Sequence, residues 1–198
     1  MAKANSIPAF PADEDRTEFG AWLSGFCDGE SCFQLNWRVR DKSNPRDNPV
    51  ASFTINLRSD DSAILSLIRS FWQCGTLHAK SRCVFYGRNG REQEGSPQTV
   101  YHVRAIPHLV GILVPHFDRF RLRAKKANDF RIWREGVVLL GSRERRGYGS
   151  NGWTPTELAH FTALYDALKT QRVYNAPPTE PPTPPEDDCP LFGKTITE

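Results

Sequence analysis

The sequence predicts an α+β domain, with helices segregated on one face of an antiparallel sheet. Three observations predict it. Hydrophobic periodicity switches between the helical and the strand repeat along the chain; two pairs of alternating segments are each joined by a turn-rich stretch; and helical stripes with start and stop signals lie before, between and after them. With 198 residues, 38% of them apolar, the chain can bury one sizeable core or two small ones.

The elements follow in order. Phe19, Trp22, Leu23 and Phe26 fall at i, i+3, i+4 and i+7, a helical stripe running to about Gly29. From Ser31 the period becomes two, with Phe33, Leu35, Trp37 and Val39 on one face and Gln34, Asn36, Arg38 and Arg40 on the other. Residues 41–49 are turn-rich, and a second strand follows in which Phe53, Ile55 and Leu57 alternate with Ser52, Thr54, Asn56 and Arg58. Asp60, Asp61 and Ser62 are expected to cap a helix carrying Ile64, Leu65, Ile68, Phe71 and Trp72, which ends by Gly75. Residues 77–86 and 99–106 read as a second hairpin around a Gly-rich loop. Pro107 opens a helix that Pro115 is expected to close, and a longer helix runs from about Arg123 to Leu140 with Gly141 as its stop. Thr154, Pro155 and Glu157 form a capping box with proline at the first helical position, leading a last helix with Leu158, Phe161, Tyr165 and Leu168. The order is αββαββα with an additional C-terminal helix.

Composition narrows the class. Mean hydropathy is −0.54, and no apolar run approaches the roughly 20 residues of a membrane span. The N-terminus lacks the apolar core of a secretory signal, so an intracellular protein is expected. The five cysteines, Cys27, Cys32, Cys74, Cys83 and Cys189, lack the spacing of zinc or redox pairs and read as reduced thiols. Residues 1–15 read as a flexible arm and 16–172 as the ordered body. Residues 173–198 read as an acidic, Pro-rich tail that cannot offset its ordering entropy by burial. That tail has one lysine against five acids, net −4, which leaves +7 on residues 1–172 beneath an overall charge of +3. A basic body points to a polyanionic partner.

The most informative stretch is residues 23–31, LSGFCDGES. An apolar helix ends on Asp28 and Glu30, where the helix dipole disfavours carboxylates. Acids placed against a local rule mark a candidate working site.

This stretch resembles the motif that names the LAGLIDADG homing endonucleases. Leu23, Gly25 and Asp28 keep the pattern, Ser24 and Gly29 take its alanine positions, Phe26 and Cys27 fill the apolar slots, and Glu30 stands at the metal-binding acid. Ser31 replaces the last glycine. Residues 122–130, LRAKKANDF, resemble the family's lysine-bearing segment before a long helix. The resemblance implies a saddle-shaped antiparallel sheet and, with one motif per chain, a homodimer packed through Trp22, Ser24, Gly25, Asp28 and Gly29. It implies two Glu30 carboxylates side by side, each with its Gly29 carbonyl, holding Mg2+ or another divalent cation such as Mn2+. Lys125 matches the family's catalytic lysine, with Lys126 its nearest rival.

The polar sheet face presents Gln34, Asn36, Arg38, Arg40, Ser52, Thr54, Asn56 and Arg58 from the first hairpin and His78, Lys80, Arg82, His102 and Arg104 from the second, with no acid among the thirteen. Amides and guanidiniums can read base edges in the major groove of double-stranded DNA. The strand direction brings Thr54 and Asn56 close to the metal end, where they are expected to position water instead of reading bases. Lys126, Arg143, Arg145 and Arg146 add to a basic segment whose 141–152 loop is expected to contact phosphates. The expected function is a site-specific endonuclease that cuts both strands of a near-palindromic site in the homing of an intron or intervening sequence. Two rival readings keep the fold: a non-catalytic regulator of transcription, and a splicing maturase with RNA as its partner.

Overall fold

The computed structural model describes residues 6–38, 48–80, 84–86, 92–144 and 152–172. Helix α1 (Arg16–Glu30) is capped by Asp15, whose carboxylate accepts from the backbone N–H groups of Thr17 and Glu18 at 2.6 and 3.0 Å. These bonds hold the Asp15 carboxyl below its ordinary pKa. Strands β1 (Ser31–Trp37) and β2 (Pro49–Arg58) follow, then a 3-10 turn and α2 (Ala63–Trp72). The capping acids expected for α2 occupy the 3-10 turn instead, and the helix starts one residue after Ser62. It ends on Gln73 in the left-handed region and Gly75 at φ 80°, and a Cβ on Gly75 would lie 2.6 Å from the Tyr101 ring. Only glycine meets both demands.

Strands β3 (Thr76–Lys80) and β6 (Gln98–Val103) pair antiparallel, while β4 (Val84–Tyr86) and β5 (Glu92–Glu94) form a separate two-stranded ribbon between them. The main sheet has the order β1-β2-β6-β3. Its core face supplies Phe33, Leu35, Phe53, Ile55, Tyr101 and Val103, all buried against α1, α2 and α5 (Lys126–Glu144). Phe33 sits at the centre, its ring 5.1 to 5.6 Å from those of Phe53, Phe117, Phe130 and Trp133. This is the α+β architecture expected from the sequence, with the helical layer on one face and the polar face of the sheet left open.

Several boundaries differ from expectation. The helix opened by Pro107 does not stop at Pro115: α3 (Ile106–His108) passes through a π turn (Leu109–Leu113) into α4 (Val114–Arg119). Pro115 lies in the first turn of α4, where a proline's missing N–H costs least. Gly141 does not end α5 but lies inside it, because a Cβ there would meet Val110 at 2.7 Å; the residue is kept small by packing against the π turn. Gly136 plays the same part against Leu35, at 2.9 Å. Helix α6 (Pro155–Gln171) has the expected capping box, with Glu157 N donating to Thr154 Oγ1 at 3.2 Å and Thr154 N donating to Glu157 Oε2 at 3.0 Å.

The N-terminal arm packs against α1 and α2 over its described part. Phe10 lies 5.0 Å from Phe19 and 5.2 Å from Phe71, Gln73 donates to the Pro8 carbonyl at 2.8 Å, and Arg16 donates to Phe71 O at 2.9 Å while stacking on both rings. Aromatic burial anchors a stretch whose composition alone reads as polar. The tail at 173–198 lies outside the described residues. Among the described residues, no helix is long and apolar enough to cross a membrane.

Candidate functional site

Helix α1 ends on Glu30, which is exposed. The exit is tight without glycine: Ser31 has φ −86° and ψ 164°, and both its N–H and its hydroxyl bond the Cys27 carbonyl, the latter at 2.7 Å. Burial pushes the Cys27 thiol pKa far up, which leaves it inert. Asp28 turns back into its own chain, where its Oδ2 accepts from the backbone N–H groups of Arg123 and Ala124 at 2.7 and 3.2 Å. The carboxylate therefore pins the lysine-bearing loop beneath the helix end.

Of the two adjacent lysines, Lys126 reaches the site. Its Nζ donates to Gly29 O at 2.7 Å and to Asp28 O at 3.3 Å, offsetting the negative end of the α1 dipole. Lys125 is exposed and makes no such bond among the described residues. The motif favours Lys125, whereas the first turn of α5 aims position 126 at α1.

Glu30 opens onto a groove of about 630 Å³ shared with Asn56, Arg58, Asp60, Asp61 and Gln98. Thr54 is not part of its lining. It is 7% exposed, in register with Cys32 and His102, and its Oγ1 has no partner among the described residues. Asn56 lines the groove because Ser31 pairs with Ile55, which sets position 56, not 54, beside the helix end. Arg58 is bound bidentately by Asp60, at 2.6 and 3.2 Å, with both side chains well exposed. An exposed pair of this kind contributes little and exchanges readily.

The open sheet face holds the predicted residues together. Ladder register sets Gln34 beside Ser52, Thr54 beside His102, His102 beside Thr76, and Arg58 and Lys80 on either side of Gln98. Ser52 Oγ donates to Gln34 Oε1 at 3.0 Å, and Thr76 Oγ1 meets His78 Nε2 at 2.8 Å. Asn36, Arg38, Asn56, Arg58, His78, Lys80 and Arg104 are exposed. Partial burial, then Arg104, then His78 lower the pKa of His102. Thr76 and Gln98 belong to this face but were missed; the alternation of β3 and β6 carried the signal. Arg40, Arg82, Arg145 and Arg146 lie outside the described residues. Arg143 is held within the chain: α5 runs past its expected end, and Arg143 Nη1 donates to Glu157 Oε2 and Gly152 O, each at 3.1 Å, while the guanidinium lies over Trp153.

The expected interface helix divides in two. Trp22, at 44% exposure, stacks on Phe26 with ring centroids 5.1 Å apart, and a Cβ on Gly25 or Gly29 would meet nothing within 4 Å. Trp22, Gly25 and Gly29 therefore form an open face. Ser24 does not belong to it, nor does Asp28. Ser24 is buried and donates its one hydroxyl proton to Phe120 O at 2.7 Å, so it accepts from His116 Nε2 at 3.2 Å.

A divalent cation asks for hard oxygen donors. One chain offers the Glu30 carboxylate and the Gly29 carbonyl, whose second lone pair stays available beside Lys126. No cluster of three His, Cys, Asp or Glu groups suited to a metal occurs among the described residues. The donor set therefore fits Mg2+ if a second carboxylate comes from a partner and the remaining ligands are water and phosphate oxygen.

Residues 23–137 match the family described as LAGLIDADG endonuclease. The chain is 25% identical over 125 residues to an uncharacterized 50.9 kDa protein in ND4 intron 1 of Podospora anserina, covering 62% of this chain and 24% of that protein. It is 24% identical over 123 residues to the probable intron-encoded DNA endonuclease 1 of Mycosarcoma maydis, covering 61% and 38%. Among solved structures, the I-SmaMI LAGLIDADG homing endonuclease bound to cleaved DNA aligns with a TM-score of 0.59 at 20% identity, covering 78% of this chain and 45% of that one. The chain thus spans a quarter to two-fifths of the curated relatives and less than half of the solved structure.

Proposed function

The chain belongs to the LAGLIDADG endonuclease family, and from that premise we propose that it is a site-specific DNA endonuclease that cuts both strands as a homodimer with Mg2+ or Mn2+. The observation that carries the reading is the placement of exposed Glu30 and the Gly29 carbonyl at the end of a helix whose outer face is open, next to an uncovered polar sheet. A twofold pairing of α1 through Trp22, Gly25 and Gly29 brings two Glu30 groups together and supplies the donors that one chain lacks. The share of the solved I-SmaMI chain that the match occupies, 45%, is what one of two such units would take up.

Each residue then has a task. Glu30 and Gly29 O would hold the cation, whose chemistry there would be activation of a water and neutralisation of charge on the scissile phosphate. Lys126 fixes the Gly29 carbonyl and presents an ammonium to the same phosphate. Asn56 and Gln98 line the groove beside Glu30 and order solvent there. Gln34, Ser52, Asn36, Arg38, His78 and Lys80 face the base edges. Arg58 trades Asp60 for DNA, an exchange that the exposure of the pair makes cheap. By this reading the protein acts inside the cell on genomic or organellar DNA, in the homing of an intron or intervening sequence.

The experiment is cleavage of a duplex carrying the protein's own coding locus without the intervening element, with Mg2+ and with chelator. Double-strand scission that requires Mg2+, and that is lost in Glu30→Gln while DNA binding persists, is the expected result. Tight DNA binding without scission in the parent protein would replace this reading with a regulator, and preferential binding of intron RNA would replace it with a maturase.

A further inference from the structure

The polar sheet face does not end at its edge strand. Helix α6 runs beside β1, and a groove of about 140 Å³ lies between them, lined on one side by Gln34 and Asn36 and on the other by Tyr165, Lys169 and Arg172. Gln34 and Asn36 belong to the face assigned above to base contacts, so the groove is continuous with it. On the α6 side, Lys169 is exposed, and its Nζ is held 4.6 Å from the centre of the Tyr165 ring by a cation–π contact, with no ion pair among the described residues. Arg172 is committed to structure: Nε donates to Asp129 Oδ2 at 3.1 Å and Nη2 donates to the Phe33 carbonyl on β1. The last turn of α6 is thus tied to the strand that carries Gln34 and Asn36, which fixes the position of Lys169 relative to them. Asp166, one turn earlier, does not line the groove.

We infer that this groove is a phosphate subsite of the nucleic-acid interface, in which Lys169 contacts a backbone phosphate next to the bases faced by Gln34 and Asn36. The inference rests on the DNA-binding reading above. A positioned cation beside amides that read bases is the usual division of labour, since phosphate contacts set register and base contacts set sequence. The polar face of β1 and the fixed end of α6 give the duplex one surface with two kinds of contact, and the α6 half was not legible from strand alternation.

The test is a salt titration of binding by the whole chain to a labelled mixed-sequence DNA duplex. The parent should show a steep fall of log K with log salt. Lys169→Ala should flatten that slope by about 0.9 for each protomer bound, hence by about 1.8 for a dimer, and weaken binding severalfold at low salt. Lys169→Arg should restore both. A merely structural lysine would change melting temperature but not the slope. If the parent slope is steep and that of Lys169→Ala equals it, the subsite is refuted while the DNA reading stands. If the parent itself shows no salt-dependent binding, both fall.

Discussion

The ammonium of Lys126 lies 2.7 Å from the carbonyl oxygen of Gly29, across 97 residues of sequence. This contact ties the first turn of α5 to the last turn of α1 and sets a cation beside the exposed Glu30. It makes the two neighbouring lysines unequal in a way that their order in the motif does not.

Lys126→Ala should therefore lower cleavage by about 100- to 1000-fold, the range for losing one preorganised electrostatic contact to a reacting group. Lys125→Ala should stay within roughly tenfold of the parent, as a lost exposed cation would. Single-turnover cleavage at saturating protein separates the two, and the reverse ranking would return the catalytic role to Lys125.

Asp28 accepts two backbone N–H groups of the 121–125 loop. Asp28→Ala leaves both without that acceptor and should cost roughly 1–3 kcal/mol, read from urea unfolding. Cleavage should fall because the loop that delivers Lys126 is released. Unchanged stability would contradict the pinning role.

Gly25 sits on the open face of α1, where a Cβ meets nothing within 4 Å. Gly25→Leu should stabilise the isolated chain by about 0.8–1 kcal/mol, since leucine has the better helix propensity. The same change should hold two α1 helices apart and raise the dimer dissociation constant by more than tenfold. Sedimentation equilibrium and thermal melting of one sample read both effects. A Gly25→Leu protein that remains a dimer would remove α1 from the interface.

His116 is buried among Phe71, Trp72, Phe117 and Phe120, and burial pushes its pKa down to about 4. The folded chain resists a proton that the unfolded chain takes up near pH 6.5. Stability from this group is therefore complete above that pH and is lost as pH falls toward 4. The loss is on the order of 3 kcal/mol, because each tenfold difference in proton affinity between the folded and unfolded chain is worth about 1.4 kcal/mol. Chemical denaturation at pH 7 and pH 4.5 should show the fall, and His116→Gln should reduce it. An equal acid loss in His116→Gln would assign it to other groups.

Most of the architecture was legible because its signals are local. The alternation of β1 and β2 places Gln34, Asn36, Ser52 and Asn56 on one face whatever the partner strands, since a strand's side-chain period is two. The α6 capping box, Thr154 with Glu157, is a contact between residues three apart and needs no tertiary help. Gly141 marks the limit of such rules. Glycine after an apolar stripe reads as a helix stop, but the approach of Val110 makes it a packing residue inside α5.

The sequence by itself determined the fold class, the polar sheet face and the acid at the end of α1, each of which depends on residues near one another in the chain. Only the tertiary structure decided which side of each helix meets which neighbour. Helix α1 is apolar on more than one side, so its pattern cannot say that Ser24 turns inward to Phe120 and His116 while Trp22 and Gly25 face out. Lys125 lies just before α5 and Lys126 is its first residue, and the docking of the preceding loop onto Asp28 selects between them. The physical reason is that periodicity fixes angles within an element, whereas the rotation of that element against its neighbours is set by contacts between residues far apart in the chain.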